Sequence, residues 1–441
     1  MSKKVPGKEN DEYGGAGTAV QSDGMPRWGA RELSAAYDVT KPLPPGADVP
    51  FLVLTLVILL IGLVMVLSAS YARSYYLSGE PMRFFTRQLV FAFSGTALMI
   101  LVSHIKVSTM SRWSLHLLLV AVTMLILVLL VGVKVNGARR WLGFGGENSS
   151  FRFQPSEIAK VAIILSFSQI MCKFGRSRMK TFKYGVFPFA AVAAVMIILL
   201  AREPHLSAAI IIFALTAIMM FAGGTKLRWF LVAGAVAAAS VCVMLFTVYW
   251  GARNEDPDLS LRQQIAQVEW GEKLGYAGKR IDAWLDPDAD PLGDGFQIKQ
   301  SLLAVGSGGL LGQGFGQSRQ KYLYLPEEYN DYIFAVVCEE LGFIGAMLVL
   351  LLFVLLIVRG FWLAVHAKDK YSSLITIGIT SLLAIQVFLN VAVVTNLVPA
   401  TGISLPFFSY GGTALWIQLV QMGVILAVSR EIPLTKKDKA G

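Results

Sequence analysis

Apolar residues run in blocks along most of this chain, separated by short polar links, and the blocks are long enough to cross a bilayer as helices. They fall at 51–70, 85–103, 113–135, 157–172, 184–201, 206–223, 229–250, 331–358, 373–394 and 412–429, which predicts ten spans. The fourth and sixth are short, a length that a tilted or re-entrant segment would also give. Residues 1–49 are rich in Gly, Pro and charge with no apolar period, as a disordered tail is, and 431–441 is a second polar tail. The first block starts too far from Met1 for an ordinary cleaved signal peptide, so it is expected to stay as an anchor. The pattern therefore predicts an all-α polytopic membrane protein whose transmembrane domain covers 50–430.

Composition supports this: 55% of the 441 residues are hydrophobic and 15% charged. Charge placement adds the orientation. The link 173–183 carries Lys173, Arg176, Arg178, Lys180 and Lys183 with no acid, as a cytoplasmic loop does. Both termini then fall inside, and the long segment 251–330 between the seventh and eighth spans falls outside. That segment holds eight Lys or Arg against twelve Asp or Glu, which suits translocation. The net charge of +10 thus reflects topology and contact with anionic lipid, and no nucleic-acid partner is expected. Cys172, Cys242 and Cys338 lie in or at the ends of apolar blocks and read as packing residues. The four histidines have no ligand spacing, so no zinc site is expected.

Acidic side chains enter the eighth block. Asp331 stands where the polar loop stops, while Glu339 and Glu340 lie two turns or more further in, and a carboxylate at that depth needs a packed interior or a wet cavity. Asp331 would also suit a plain helix N-cap, and the glutamates could simply bond to neighbouring spans.

Three further constellations stand out. In 136–160, NGARRWLGFGGENSSFRFQPSEIAK, the arginines Arg139, Arg140 and Arg152 occupy an outer loop against the inside-positive trend. Guanidinium forks suit phosphate oxygens, although snorkelling arginines beside a Trp anchor would look the same. Glu157 and Lys160 follow, three apart on one helical face, either as an intrahelical ion pair or as a cavity-facing pair. At 201–207, AREPHLS, Pro204 stops a helix and leaves Arg202 and Glu203 at a hairpin that could rim the same cavity. At 396–412, NLVPATGISLPFFSYGG, broken backbone sits between two spans and is expected to line a cavity.

Two patterns mislead. Asp286, Asp288 and Asp290 alternate as in a calcium loop, but Pro291 and Gln297 stand where Gly and Glu are required. Gly312, Gly314 and Gly316 imitate a phosphate loop with no strand before them, and read instead as points where backbone bends. Between these, 296–311 has a helical apolar period that suggests a short helix on the membrane surface.

Three blocks in order, NGARR with QPSEIAK, then GSGGLLGQGFGQSRQKYLYLPEEYNDYIFAVVCEELG, then NLVPATGISLPFFSYGG, resemble the SEDS family (shape, elongation, division and sporulation). QSRQKYLYLPE is most similar to its FtsW or sporulation branch, with the RodA branch next. The resemblance covers nearly everything after residue 50, and His205 departs from it, standing where the family usually reads Pro-Asp. It implies a peptidoglycan glycosyltransferase that polymerises lipid II into β-1,4 glycan outside the inner membrane for septal wall synthesis. A lipid II flippase, or an elongation or sporulation polymerase, is the alternative. The family's catalytic aspartate falls on Asp331, and its cavity residues fall on Arg139, Arg140, Glu157 and Lys160. Arg202, Lys321, Glu328 and Ser409 complete the candidate substrate-binding set. Implied partners are lipid II, the nascent glycan strand, a cognate class B penicillin-binding transpeptidase and other division proteins. A divalent cation, Mg2+ or Mn2+, is the one cofactor such chemistry would admit. A polyprenyl diphosphate brings its own leaving group and leaves without being protonated, so a single base at Asp331 suffices.

Overall fold

The computed structural model of the chain describes residues 46–135, 138–143, 152–203, 205–235, 239, 242–243, 276–288 and 293–432. Among them are nine helices long and apolar enough to span a membrane. They are α1 (Val49–Ser78), α2 (Arg83–Ser103), α3 (Val107–Val131), α4 (Pro155–Met179), α5 with α6 (Phe182–Gly185, Phe187–Arg202) and α7 (Leu206–Gly223), then α10 (Ile333–Val365), α11 (Lys370–Val394) and α12 (Gly412–Arg430). Two shorter helices, α8 (Tyr276–Leu285) and α9 (Asp294–Ser307), lie between α7 and α10. The expected seventh span, 229–250, is helical at 229–235, 239 and 242–243 and otherwise falls outside the described residues, as do the N-terminal tail to residue 45, 251–275 and 433–441.

Local chemistry sets the helix ends. Asp48 caps α1 by accepting from the Phe51 backbone N–H at 2.9 Å, and its carboxylate also pairs with Arg359 at 2.6 Å, so residues just before the first span belong to the folded body. The third span differs from expectation. Helix α3 stops at Val131, Gly132 turns extended, and 133–135 form strand β1, which pairs antiparallel with β2 (Ala138–Gly143); β2 in turn pairs with β3 (Arg152–Phe153). Val-Lys-Val, with β-branched residues at alternate positions, favours a strand over a last helical turn.

Helices α12, α11 and α4 form the middle of the bundle, with 72, 67 and 61% of their central stretches buried, whereas α2 and α3 are 22% buried and turn most of their surface outward. Small residues permit the closest crossings. A side chain at Gly423 of α12 would meet the Met99 carbonyl of α2 at 2.6 Å, and one at Gly378 of α11 would meet Ile164 of α4 at the same distance.

Helix α10 is broken at Gly342, whose φ is 68°. The glycine-rich turn 308–314 fills the break: Gln313 and Gly314 donate to the carbonyls of Glu339 and Glu340 at 2.9 and 3.0 Å, and Phe343 and Ile344 donate to Gly309 and Leu310 at 2.9 and 3.1 Å. The freed backbone groups are thereby re-satisfied, as an apolar environment demands. Gly312 is required here because a Cβ would lie 2.2 Å from the Glu340 carbonyl oxygen. The short helix expected over 296–311 spans 294–307 and packs on α10 and α11, with Ser301 Oγ donating to the Val394 carbonyl at 2.9 Å.

Candidate active site

Asp331 sits in the turn that precedes α10. The helix starts at Ile333 with Tyr332 as its cap residue and no side-chain cap bond, so the carboxylate is not spent as an N-cap. Its backbone is held from three sides: Asn390 Nδ2 of α11 donates to the Asp331 carbonyl at 2.8 Å and to the Ile403 carbonyl at 2.7 Å, Ser409 Oγ donates to the Asn330 carbonyl at 2.8 Å, and Tyr410 N donates to the Tyr329 carbonyl at 2.9 Å. The turn and the 403–410 loop are therefore stitched into one unit. Gly402, at φ 68°, leaves room for the carboxylate, since a Cβ there would stand 3.1 Å from Asp331 Oδ2. No described residue donates a hydrogen bond to that carboxylate.

The Asp331 side chain faces a cavity of about 900 Å3. Six cationic side chains line it (Arg73, Arg83, Arg87, Arg140, Lys160, Arg280) against three acidic ones (Glu157, Glu327, Asp331), so the space favours an anion. Burial pushes the Asp331 carboxyl up to about 7; Glu327 adds to the rise, and Arg280 and Arg140 oppose it. A carboxylate poised there can accept a proton near neutral pH.

The other predicted residues separate into groups. Arg140, Glu157, Lys160 and Ser409 line the cavity with Asp331. Glu157 and Lys160 are both a buried ion pair, at 2.8 Å, and part of the wall. Ser409 Oγ is already engaged, accepting from Leu405 N at 2.7 Å while donating to Asn330, so its role is to brace the turn. Arg139 is exposed and off the cavity, because neighbours on strand β2 point to opposite faces. Arg202, the last residue of α6, is also exposed and off the wall. Lys321 is buried away from the cavity and pairs with Glu340 at 2.8 Å, with Ser68 Oγ bonded to both. Glu339 accepts from Ser318 Oγ at 2.5 Å and Arg319 N at 2.8 Å. Together these two glutamates clasp the 318–321 segment to α10 and stay out of the cavity. Glu328 is wholly buried behind the wall, its carboxyl raised to about 7 by desolvation, with Arg73 among the opposing charges.

His205 lines the cavity beside Gln154, Nε2 to Nε2 at 3.4 Å, and burial together with Arg140 and Lys160 lowers it to about 3, so the ring is neutral. Its neighbour Glu203 is raised to about 8 by burial.

Arg73, Arg83 and Arg87 also line the cavity and went unmarked in the sequence, although the expected orientation puts them at the outer ends of spans, against the inside-positive trend. Also unmarked were Arg280 and an aromatic cluster in which Phe84 lies 5.1 Å from both Tyr329 and Tyr410. Nothing in the local sequence marks the cluster, which is assembled from α2 and two distant loops.

The FtsW/RodA/SpoVE family model, described as cell cycle protein, matches residues 49–433. The chain belongs to this family. Stage V sporulation protein E of Bacillus subtilis is 38% identical over 393 residues, covering 89% of this chain and 98% of that protein. A probable peptidoglycan glycosyltransferase FtsW of Geobacter sp. (strain M18) is 36% identical, covering 87% and 97%. Among solved structures, a chain from a peptidoglycan synthase complex that coordinates polymerization and crosslinking superposes with a TM-score of 0.66 at 28% identity, covering 87% of this chain and 98% of that one. The rod shape determining protein RodA of Thermus thermophilus shares the fold, with a TM-score of 0.59 at 24% identity, covering 88% and 98%.

Among the described residues no three His, Cys, Asp or Glu side chains come together as a metal cluster. A Mg2+ ion here would take most of its shell from substrate phosphates and water, with Glu327 the wall carboxylate left to hold it, since Asp331 is the candidate base. When bound it would neutralise charge building on the diphosphate.

Proposed function

We propose that this chain polymerises lipid II into β-1,4 glycan at the outer face of the cytoplasmic membrane. The observation that carries the reading is the Asp331 carboxylate, free of hydrogen-bond donors among the described residues, on the wall of a strongly cationic cavity. Asp331 takes the proton of the acceptor sugar hydroxyl as its oxygen bonds to the donor's anomeric carbon. The bond from that carbon to the diphosphate breaks with inversion, so an α-linked donor gives a β product and a polyprenyl diphosphate leaves carrying the electron pair. Arg140 and Arg280 line the cavity with Asp331 and would stabilise the departing charge. Glu157 and Lys160 hold each other in fixed positions on the wall, which preorganises it.

The relatives named FtsW support wall synthesis in division, and the similarly close sporulation relative favours a spore-wall role as the second reading. The structural likeness to a subunit of a polymerising and crosslinking complex supports a penicillin-binding transpeptidase as partner. The cationic 173–183 link supports cytoplasmic termini.

Glycan product from lipid II tests the reading. Purified chain, alone and with candidate transpeptidases, is expected to yield long glycan on gels; a flippase would carry lipid II across vesicle membranes and leave it unpolymerised.

A further inference from the structure

Helix α2 turns most of its surface outward, and one stripe of it faces the protein. Phe84, Gln88, Phe91 and Ser94 are spaced three or four residues apart and fall on that side. Phe84 meets the rings of Tyr329 and Tyr410, Phe91 meets the Trp416 ring of α12 at 5.2 Å, and Ser94 Oγ accepts from the Trp416 indole N–H at 2.8 Å. Gln88 has no exposed surface at all. An amide enclosed in this way must be hydrogen-bonded, and main chain satisfies it: Nε2 donates to the Ser409 carbonyl and Oε1 accepts from the Gly411 N–H, both at 3.2 Å. Because the two backbone groups have fixed roles, the amide has one workable orientation.

Ser409 and Gly411 flank Tyr410 in the loop that braces the turn of Asp331. Ser409 Oγ is held by Leu405 N at 2.7 Å and donates to the Asn330 carbonyl at 2.8 Å, while Tyr410 N donates to the Tyr329 carbonyl at 2.9 Å. A continuous path of hydrogen bonds thus runs from α2 through 409–411 to the residue before Asp331. Gln88 is not among the side chains that line the cavity, so it reaches the chemistry through this path. The residue type suits the task. Asn is one methylene short of both groups, Met makes no hydrogen bond, and an ionised Glu has no donor for the Ser409 carbonyl.

We infer that Gln88 is a positioning residue for Asp331: it holds the 409–411 backbone so that Ser409 fixes the turn and the carboxylate stays on the cavity wall. The inference rests on the polymerase reading, in which Asp331 is the base. It makes a buried amide outside the cavity a determinant of turnover and not of substrate affinity.

Glycan formation from lipid II by purified chain with its transpeptidase partner, resolved into kcat and KM, tests this. Gln88→Met keeps the side chain's length and loses both bonds; kcat is expected to fall about 10- to 100-fold with KM within about twofold of wild type. Gln88→Asn, still polar but too short to reach both groups, keeps the test open if the Met variant folds poorly, and is expected to lose about 3- to 10-fold in kcat. Ser94→Ala is the control. It removes another α2–α12 hydrogen bond from the same stripe and is expected to lower the unfolding temperature while leaving kcat unchanged. Gln88→Met/Ser409→Ala should lose no more kcat than the more damaging single change, because the two residues are links in one path. An unchanged kcat in Gln88→Met and Gln88→Asn, a loss confined to KM, or losses that multiply in the double variant would overturn the inference. So would an equal fall in kcat for Ser94→Ala, which would reduce Gln88 to general packing. Wild-type protein that makes no glycan with any transpeptidase would instead overturn the polymerase reading itself.

Discussion

As the proposed base, Asp331 would have to be ionised to accept a proton, so its raised pKa predicts a visible pH dependence. Below about 7 the ionised fraction falls roughly tenfold per pH unit, and kcat/KM is expected to fall with it, levelling off above. A flat profile from pH 5.5 to 7.5, measured on glycan formation from lipid II, would contradict the role. Gly402 offers a second check. Ala at φ 68° costs about 1 kcal/mol or more in strain, and its methyl would press on Asp331 Oδ2. Gly402→Ala is therefore expected to lower the unfolding temperature slightly and turnover severely; equal mild effects on both would argue against a positioned carboxylate. The acid itself was legible because it marks the border between polar loop and apolar block. Its environment was not, since Gly402 and Arg280 reach it only through the fold.

At the scale of elements, span positions followed from apolar length, while the ends followed from chemistry that length does not report. Gly132 and Val133–Val135 convert the expected tail of the third span into a strand, and that strand decides which arginine matters: Arg140 faces the cavity and Arg139 turns away. A loop reading treats the two as equivalent. Glu339 and Glu340 were rightly marked as demanding a polar environment, but they satisfy it with Ser318, Lys321 and Ser68. This clasp is testable by unfolding in detergent. Lys321→Met strands the Glu340 charge and is expected to cost about 3–5 kcal/mol, whereas Lys321→Met/Glu340→Met removes both charges and should regain most of it. Additive losses in the double variant would show that the pair is not coupled.

For the whole molecule, the cavity draws Arg73 and Arg83 from the first two helices, Arg140 and Lys160 from the hairpin and α4, Arg280 from α8, and Asp331 with Ser409 from two late loops. Sequence alone reaches the membrane architecture because bilayer thickness dictates block length. It stops short of the site because side chains more than three hundred positions apart meet only after packing. The central claim is that this assembled cavity does chemistry at Asp331 and does not merely bind or carry a lipid diphosphate. It is tested most directly by Asp331→Asn, with lipid II binding and glycan formation measured on one preparation. The account predicts binding and thermal stability close to wild type with polymerisation reduced about 100- to 10,000-fold; glycan formation at the wild-type rate by that variant would contradict it.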